Sequence, residues 1–165
     1  VTDRSSTAAG AGLLIALLSA AILGSALASQ YWGGLEPCQL CLYQRAPYVV
    51  TIALGLLTAL PLPRGLRLSC LLLAALTFAA GAALAGFHVG VEQKWWEGLP
   101  GCSAPSFTDM TLDQMREAIM GREKVVPCDE PAWTLFGVSM AGYNFLASVV
   151  LAGFTLWLAG RVSGR

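Results

Sequence analysis

Four stretches of this chain are apolar for long enough to cross a bilayer, and polar segments separate them. Residues 8–28 carry no charge and are almost wholly apolar or small. That is about the 20 residues a helix needs to span the hydrocarbon core. A polar segment, residues 29–45, follows. The next apolar run, from Ala46 to about Leu60, is short on its own, so Leu42 and Tyr43 are assigned to the same helix. Pro47 fits its first turn, where the missing N–H costs little. Pro61-Leu62-Pro63-Arg64-Gly65-Leu66-Arg67 makes a tight connection to a third run, residues 68–91, long enough to span with some tilt. Residues 92–139 form the one long polar segment, and residues 140–160 the fourth run. The pattern predicts an all-α membrane protein with a single domain over residues 1–165. Its architecture is a four-helix transmembrane bundle with spans near residues 8–28, 42–60, 68–91 and 140–160, and loops over 29–41 and 92–139.

Composition agrees: 56 % of residues are hydrophobic and only 12 % charged, about half the charged share of a soluble domain. The formal net charge is zero, and no basic patch or RNA-binding signature points to nucleic acid. The sequence opens on Val1; the spanning length of the first run favours a retained anchor over a cleaved signal. Arg4, Arg64, Arg67, Arg161 and Arg165 fall in the two termini and the Pro-rich loop, opposed by Asp3 alone. The positive-inside rule therefore puts both termini in the cytoplasm and the two cysteine-bearing loops outside.

That orientation sorts the five cysteines. Cys38 and Cys41 lie in the first outer loop and Cys102 and Cys128 in the second, where disulfides form and persist. Cys70, near the cytoplasmic end of the third helix, reads as an apolar buried cysteine. In the long loop, Thr111-Leu112-Asp113-Gln114 is a capping box. Leu112, Met115 and Ile119 then recur on one face up to Gly121. This predicts a short amphipathic helix, lying on the membrane surface or packed on its own loop. Cys102 precedes it among Pro100, Gly101 and Pro105, and Cys128 follows Pro127. Pairing them would close a loop of moderate size, and the flanking residues suggest a mobile, accessible disulfide rather than a buried staple.

The chemistry centres on Glu36-Pro37-Cys38-Gln39-Leu40-Cys41-Leu42-Tyr43-Gln44-Arg45. Two thiols at Cys-x-x-Cys spacing close a small disulfide ring or bind a soft metal. Arg45 lies one helical turn beyond Cys41, and a cation beside a thiol at a helix N-terminus stabilises the thiolate. Arg45 also reads as an interfacial cation that snorkels to headgroups, but its position one turn from Cys41 favours a functional role, since an arginine can hydrogen-bond a quinone carbonyl. Three readings of the four outer cysteines compete. As structural disulfides they would brace the loops, although a Cys-x-x-Cys ring is a poor staple. A four-thiolate metal site would need two distant pairs to converge, without the short ligand spacing of zinc modules. A relay would pass electrons from one pair to the other and on to a lipid-soluble quinone. No flavin, haem or nucleotide motif is visible. His88, the single histidine, reads as a helix-packing residue near the outer interface, and Trp95, Trp96 and Trp133 fit an aromatic belt.

Over essentially its whole length the chain resembles the DsbB family of bacterial inner-membrane disulfide-forming proteins. The resemblance is carried by Pro37-Cys38-Gln39-Leu40-Cys41-Leu42-Tyr43-Gln44-Arg45, by the Cys102/Cys128 pair, and by Trp133-Thr134-Leu135-Phe136-Gly137-Val138-Ser139-Met140. It implies a multi-pass protein whose redox site faces the periplasm, with Cys38, Cys41, Cys102 and Cys128 as catalytic residues. A reduced thioredoxin-like partner of the DsbA type would attack the Cys102–Cys128 disulfide through Cys102. Freed Cys128 would attack Cys38 and release Cys41, which hands electrons to ubiquinone or menaquinone beside Arg45. A DsbA-type partner is strongly oxidising, near about −120 mV, so its reoxidation needs a sink beyond ordinary thiols. The resemblance also implies that Val89, Gln93 and Met140 line the quinone pocket, with Gln93 standing where a histidine is expected. A relative of vitamin K epoxide reductase would instead carry its quinone-proximal Cys-x-x-Cys on a late helix, and a disulfide-braced scaffold would carry no reactive pair.

Overall fold

A computed structural model of the chain describes residues 2–99, 102, 111–113, 116 and 126–164. Its elements are α1 (Thr2–Tyr31), α2 (Gln39–Tyr43), α3 (Ala46–Ala59), α4 (Arg64–Glu92), β1 (Thr134–Leu135), β2 (Val138–Ser139) and α5 (Met140–Ser163). Four helical spans are long and apolar enough to cross a membrane: Thr7–Tyr31, Gln39–Ala59, Arg64–Glu92 and Met140–Ser163. The second is composite. A turn at Gln44 and Arg45 separates α2 from α3, and the span begins at Gln39 rather than near Leu42. The start moves because Cys38 is the N-cap of α2, its sulfur accepting the Cys41 N–H, while Leu40 is fully buried. The motif is thereby drawn into the top of the bundle.

Helix α4 is central, with 44 % of its apolar window buried against 28 % for each of the others. It packs on α3 and α5, and α1 packs on α3; α1 touches α5 only lightly. The shared core includes Ile15, Tyr48, Leu71, Phe78 and Leu151. Leu17, Leu72, Leu76 and Val150 stay exposed on the outer faces, as lipid-facing positions must. Lipid is as apolar as leucine, so helices in a membrane associate through small residues and polar contacts. The α1–α3 crossing uses both. A Cβ on Gly55 would lie 2.6 Å from the Gly12 carbonyl oxygen, so the backbones touch there. About two turns along α1 and one along α3, Ser19 Oγ and Thr51 Oγ1 share a buried 2.8 Å hydrogen bond.

At the end away from the two cysteine pairs, Arg64 donates from Nε to the Val162 carbonyl at 3.1 Å and from Nη2 to the Ser163 carbonyl. The arginine thus covers carbonyls in the last turn of α5, where a cation is favourable. At the other end the long polar segment is not purely helix and loop. Thr134 pairs with Ser139 and Leu135 with Val138 in a two-stranded antiparallel hairpin. Phe136 and Gly137 form its turn, both with positive φ, the requirement of a type I′ connection. Ser139 then caps α5, accepting the Gly142 N–H at 3.1 Å. The amphipathic helix expected over Thr111–Gly121 falls mostly outside the described residues; Leu112, Asp113 and Arg116 are helical.

Trp96 is more than a belt residue. Its indole lies over α4, stacked on Phe87 with centroids 5.9 Å apart, and Nε1 donates to the Phe87 carbonyl at 2.9 Å. Only a glycine at position 90 leaves room, because a Cβ there would overlap the indole ring. Gly90→Val is expected to expel the ring and to cost about 1 kcal/mol, the worth of a stacked aromatic pair. A red shift in the Trp96 contribution to fluorescence, taken as the difference from Trp96→Phe, is the check. An unshifted spectrum would refute this account of Gly90.

Candidate redox site

The two cysteine pairs meet at one end of the bundle. Cys38, Cys102 and Cys128 share a buried apolar cluster with Leu40 and Val91, and Cys41, Leu84, Phe87 and Val126 pack against it. Cys102 and Cys128 are joined in a disulfide. Both are fully buried, which corrects the expectation of an accessible bridge. Cysteine behaves as a small hydrophobe, and backbone hydrogen bonds fix the pair in place. Cys102 N–H donates to Leu99 at 2.9 Å and Cys128 N–H to the Cys102 carbonyl at 2.7 Å. An ion pair between Lys94 and Asp129 ties the residue after Cys128 to the end of α4. The lysine hydrogen bond holds the Asp129 carboxyl below its usual range.

The sulfurs of Cys38 and Cys41 lie 2.7 Å apart, approaching the roughly 2.0 Å of a closed disulfide. Cys38 is the better-stabilised anion. Its thiol is lowered to about 5, first by the Cys41 side chain, and further by His88 and the Cys41 N–H, against the opposing effect of burial. The helix N-terminus therefore serves Cys38, whereas sequence reasoning aimed it at Cys41. Arg45 also differs from its expected placement. It lies beyond the end of α2, and its Nη1 donates to Gln30 Oε1 at 2.6 Å.

His88 is the residue that sequence reasoning missed. It is 3 % exposed, and its ring reaches both pairs: Nε2 lies 3.6 Å from Cys38 Sγ and 3.2 Å from the Cys128 carbonyl oxygen. Its tautomer follows from the neighbours. Tyr48 donates to Asn144 Oδ1 at 2.5 Å, and Asn144 Nδ2 donates to Gln44 Oε1 at 2.5 Å. The Gln44 amide nitrogen then donates to His88 Nδ1 at 2.6 Å, leaving the ring proton of a neutral imidazole on Nε2. At the other end Ser148 supplies a hydroxyl to Tyr48 at 3.1 Å. Glu92, one turn along α4, places a carboxylate oxygen 4.0 Å from Nε2 and accepts a hydrogen bond from Ser139. The lone-histidine count and the i,i+4 spacing of His88 and Glu92 were the available signals, and neither reveals what stands opposite.

Beside this cluster is a cavity of about 350 Å³ on the weakly packed seam between α1 and α5. Its walls are mostly apolar: Ile22, Leu23 and Ala26 of α1, Leu35 and Pro37 of the following linker, and Met140, Ala141 and Ala147 of α5. Cys41, Gln44, Arg45, Tyr48, His88, Tyr143 and Asn144 also line it. Of the four non-cysteine residues expected at a ligand pocket, Arg45 and Met140 line this cavity. Val89 and Gln93, at the end of α4, do not. An apolar slot with a few convergent donors at one end suits a lipophilic ring bearing carbonyl oxygens. The sulfurs of Cys38 and Cys41 and a ring nitrogen of His88 also lie within 4.8 Å of one another, a possible soft-metal donor set. A histidine binding metal through one nitrogen ordinarily donates from the other, whereas His88 Nδ1 accepts. This hydrogen-bond network therefore suits thiol chemistry better.

Residues 8–158 match the family model described as "Disulfide bond formation protein DsbB". The chain is 34 % identical over 158 residues to "Disulfide bond formation protein B" of Methylococcus capsulatus, covering 90 % of this chain and 94 % of the relative. It is 34 % identical over 176 residues to "Disulfide bond formation protein B 2" of Pseudomonas savastanoi pv. phaseolicola, covering 92 % and 93 %. It is 31 % identical over 153 residues to "Disulfide bond formation protein B 1" of Pseudomonas aeruginosa, covering 87 % and 90 %. No solved structure matches.

Proposed function

The chain belongs to the DsbB family of disulfide bond formation proteins, and from that premise we propose that it is a membrane thiol oxidase generating disulfides at the expense of a quinone. The observation that carries the reading is the contiguity of three parts: a buried outer disulfide, a Cys-x-x-Cys pair against it, and an apolar cavity reached by Cys41 and Arg45. The whole chain, residues 1–165, acts as one multi-pass inner-membrane domain. In this reading both termini lie in the cytoplasm and the cysteine end faces the periplasm, the orientation that the arginine distribution favours.

A thiolate of a DsbA-like thioredoxin-fold partner attacks Cys102, forming a mixed disulfide and releasing Cys128 as thiolate. Because Cys102 and Cys128 are buried, this attack requires the loop to lift from Val91 and Leu40. Cys128 then attacks Cys38: the 38–128 bond forms, the 38–41 bond breaks, and Cys41 leaves with the electron pair. Ubiquinone or menaquinone, when bound, accepts two electrons and two protons and becomes quinol. Arg45 has five N–H donors, one of them occupied by Gln30, and its charge favours negative charge developing on a ring oxygen in the cavity. Gln44 and Asn144 orient polar atoms at the same wall, and Met140 supplies apolar contact. The second partner thiol then resolves the mixed disulfide and frees Cys102. Cys102 attacks Cys128, remaking the outer disulfide and releasing Cys38 with the electron pair. Cys38 and Cys41, now both reduced, re-form their disulfide by giving up the two electrons that the quinone takes.

The test is oxidation of a reduced DsbA-like protein by the purified chain with ubiquinone or menaquinone. Arg45→Met is expected to raise the quinone KM about tenfold, equivalent to about 1.4 kcal/mol of a charge-assisted hydrogen bond. The partner KM should stay unchanged. No turnover with either quinone, from folded chain, would overturn the reading.

A further inference from the structure

His88 spans the one gap that the relay must cross. Its Nε2 proton is shared between the sulfur of the first pair, Cys38, and the backbone carbonyl of the second, Cys128. Neither contact is accidental to one helix. Cys38 comes from the linker before α2, Cys128 from the long polar segment, and His88 from α4, while Gln44, between α2 and α3, fixes the tautomer. Taking the thiol relay proposed above as given, we propose that His88 is the positioning residue of the exchange between the two cysteine pairs. It holds Cys128 in line with Cys38 and donates an N–H to Cys38 sulfur when that sulfur carries the negative charge.

The chemistry identifies the step that needs it. When Cys102 attacks Cys128, the bond between Cys102 and Cys128 forms and the bond between Cys128 and Cys38 breaks. Cys38 leaves with the electron pair. A thiol leaves faster as its pKa falls, and a hydrogen bond to the charged form lowers that pKa. The Nε2–H supplies such a bond, and the Cys41 N–H at 3.2 Å supplies a second. The titratable and charged groups facing or neighbouring the imidazole are Glu92 on its own helix, Cys38, Cys41 and Arg45 around α2, and, lining the shared cavity, Glu36 before α2, Tyr48 of α3 and Tyr143 of α5. Glu92 is the carboxylate on the histidine's own helix. At 4.0 Å from Nε2 it lies beyond hydrogen-bond reach, so the ring proton remains directed at Cys38 and Cys128.

Two variants separate this role from simple packing. His88→Gln keeps an N–H near the Nε2 position, whereas His88→Leu keeps the bulk and removes every donor. In the full chain, His88→Leu is expected to lower kcat at least tenfold, with the disulfide between Cys38 and Cys128 accumulating on non-reducing gels. In a chain whose only cysteine is Cys38, thiolate absorbance should titrate at least one pH unit higher with His88→Leu. His88→Gln should recover most of both effects. Equal impairment by Gln and Leu would overturn the proposal, as would an unmoved titration midpoint. A raised quinone KM at constant kcat would overturn it too, since the histidine would then serve the cavity. Absence of turnover in the unmodified chain would instead strike the thiol-oxidase reading. The single-cysteine titration would still test the hydrogen bond.

Discussion

Replacing Cys41 by serine is expected to end catalytic turnover while leaving one round of exchange intact. Cys41 is the member of its pair that lines the apolar cavity, and in the proposed sequence it alone delivers electrons there. A serine hydroxyl neither forms a disulfide nor ionises near neutral pH, unlike a thiol of pKa about 8.5. The Cys102–Cys128 disulfide is untouched by the substitution, so a reduced partner can still be oxidised once per chain. Quinol formation should therefore fall to the buffer background, while non-reducing gels show one equivalent of partner oxidised. Continued turnover above a tenth of the unmodified rate would mean that electrons leave by another sulfur.

The second large effect is on assembly of the bundle. Gly55→Leu places a side chain where even its Cβ would be 2.6 Å from the Gly12 oxygen and 2.9 Å from the Ala16 nitrogen. Backbone cannot yield as a side-chain tip can, so α1 and α3 must part. Overpacking of this kind costs about 1–3 kcal/mol. Parting the helices also strains the buried Ser19–Thr51 hydrogen bond, a type of contact worth about 0.6 kcal/mol in membranes. A loss of about 3 kcal/mol in equilibrium unfolding in detergent is expected, with Gly55→Ala intermediate. Unfolding identical to the unmodified chain would show that the crossing is not close-packed.

Hydropathy made the four spans legible because length and apolar run are properties of the chain taken one segment at a time. The Cys-x-x-Cys motif was legible for the same reason. What the sequence hid depends on which faces oppose one another. His88, Gln44 and Asn144 lie 44 and 100 residues apart along the chain in their bonded pairs, and no local spacing specifies that register. The burial of Cys102 and Cys128 was misjudged because proline and glycine report on local backbone, whereas the cluster around Val91 and Leu40 is tertiary. The hairpin at 134–139 is short enough to disappear into the surrounding polar segment, although Phe136-Gly137 marks its turn. Arg45 lines the cavity, but the break after Tyr43 ends the helix that was to carry it beside Cys41 and gives it a partner, Gln30, that periodicity along one helix could not supply.

The polar line from Ser148 through Tyr48, Asn144 and Gln44 to His88 has a consequence of its own. Every donor along it points the same way, toward the cysteines. No single member can turn around without setting two donors, or two acceptors, against each other in a buried site. Reversal must be collective: both amides rotate, both hydroxyls swing, and the imidazole moves its proton from Nε2 to Nδ1. The line thus behaves as one switch with two settings. The setting these bonds make offers Cys38 a proton; the reversed one would offer it a lone pair.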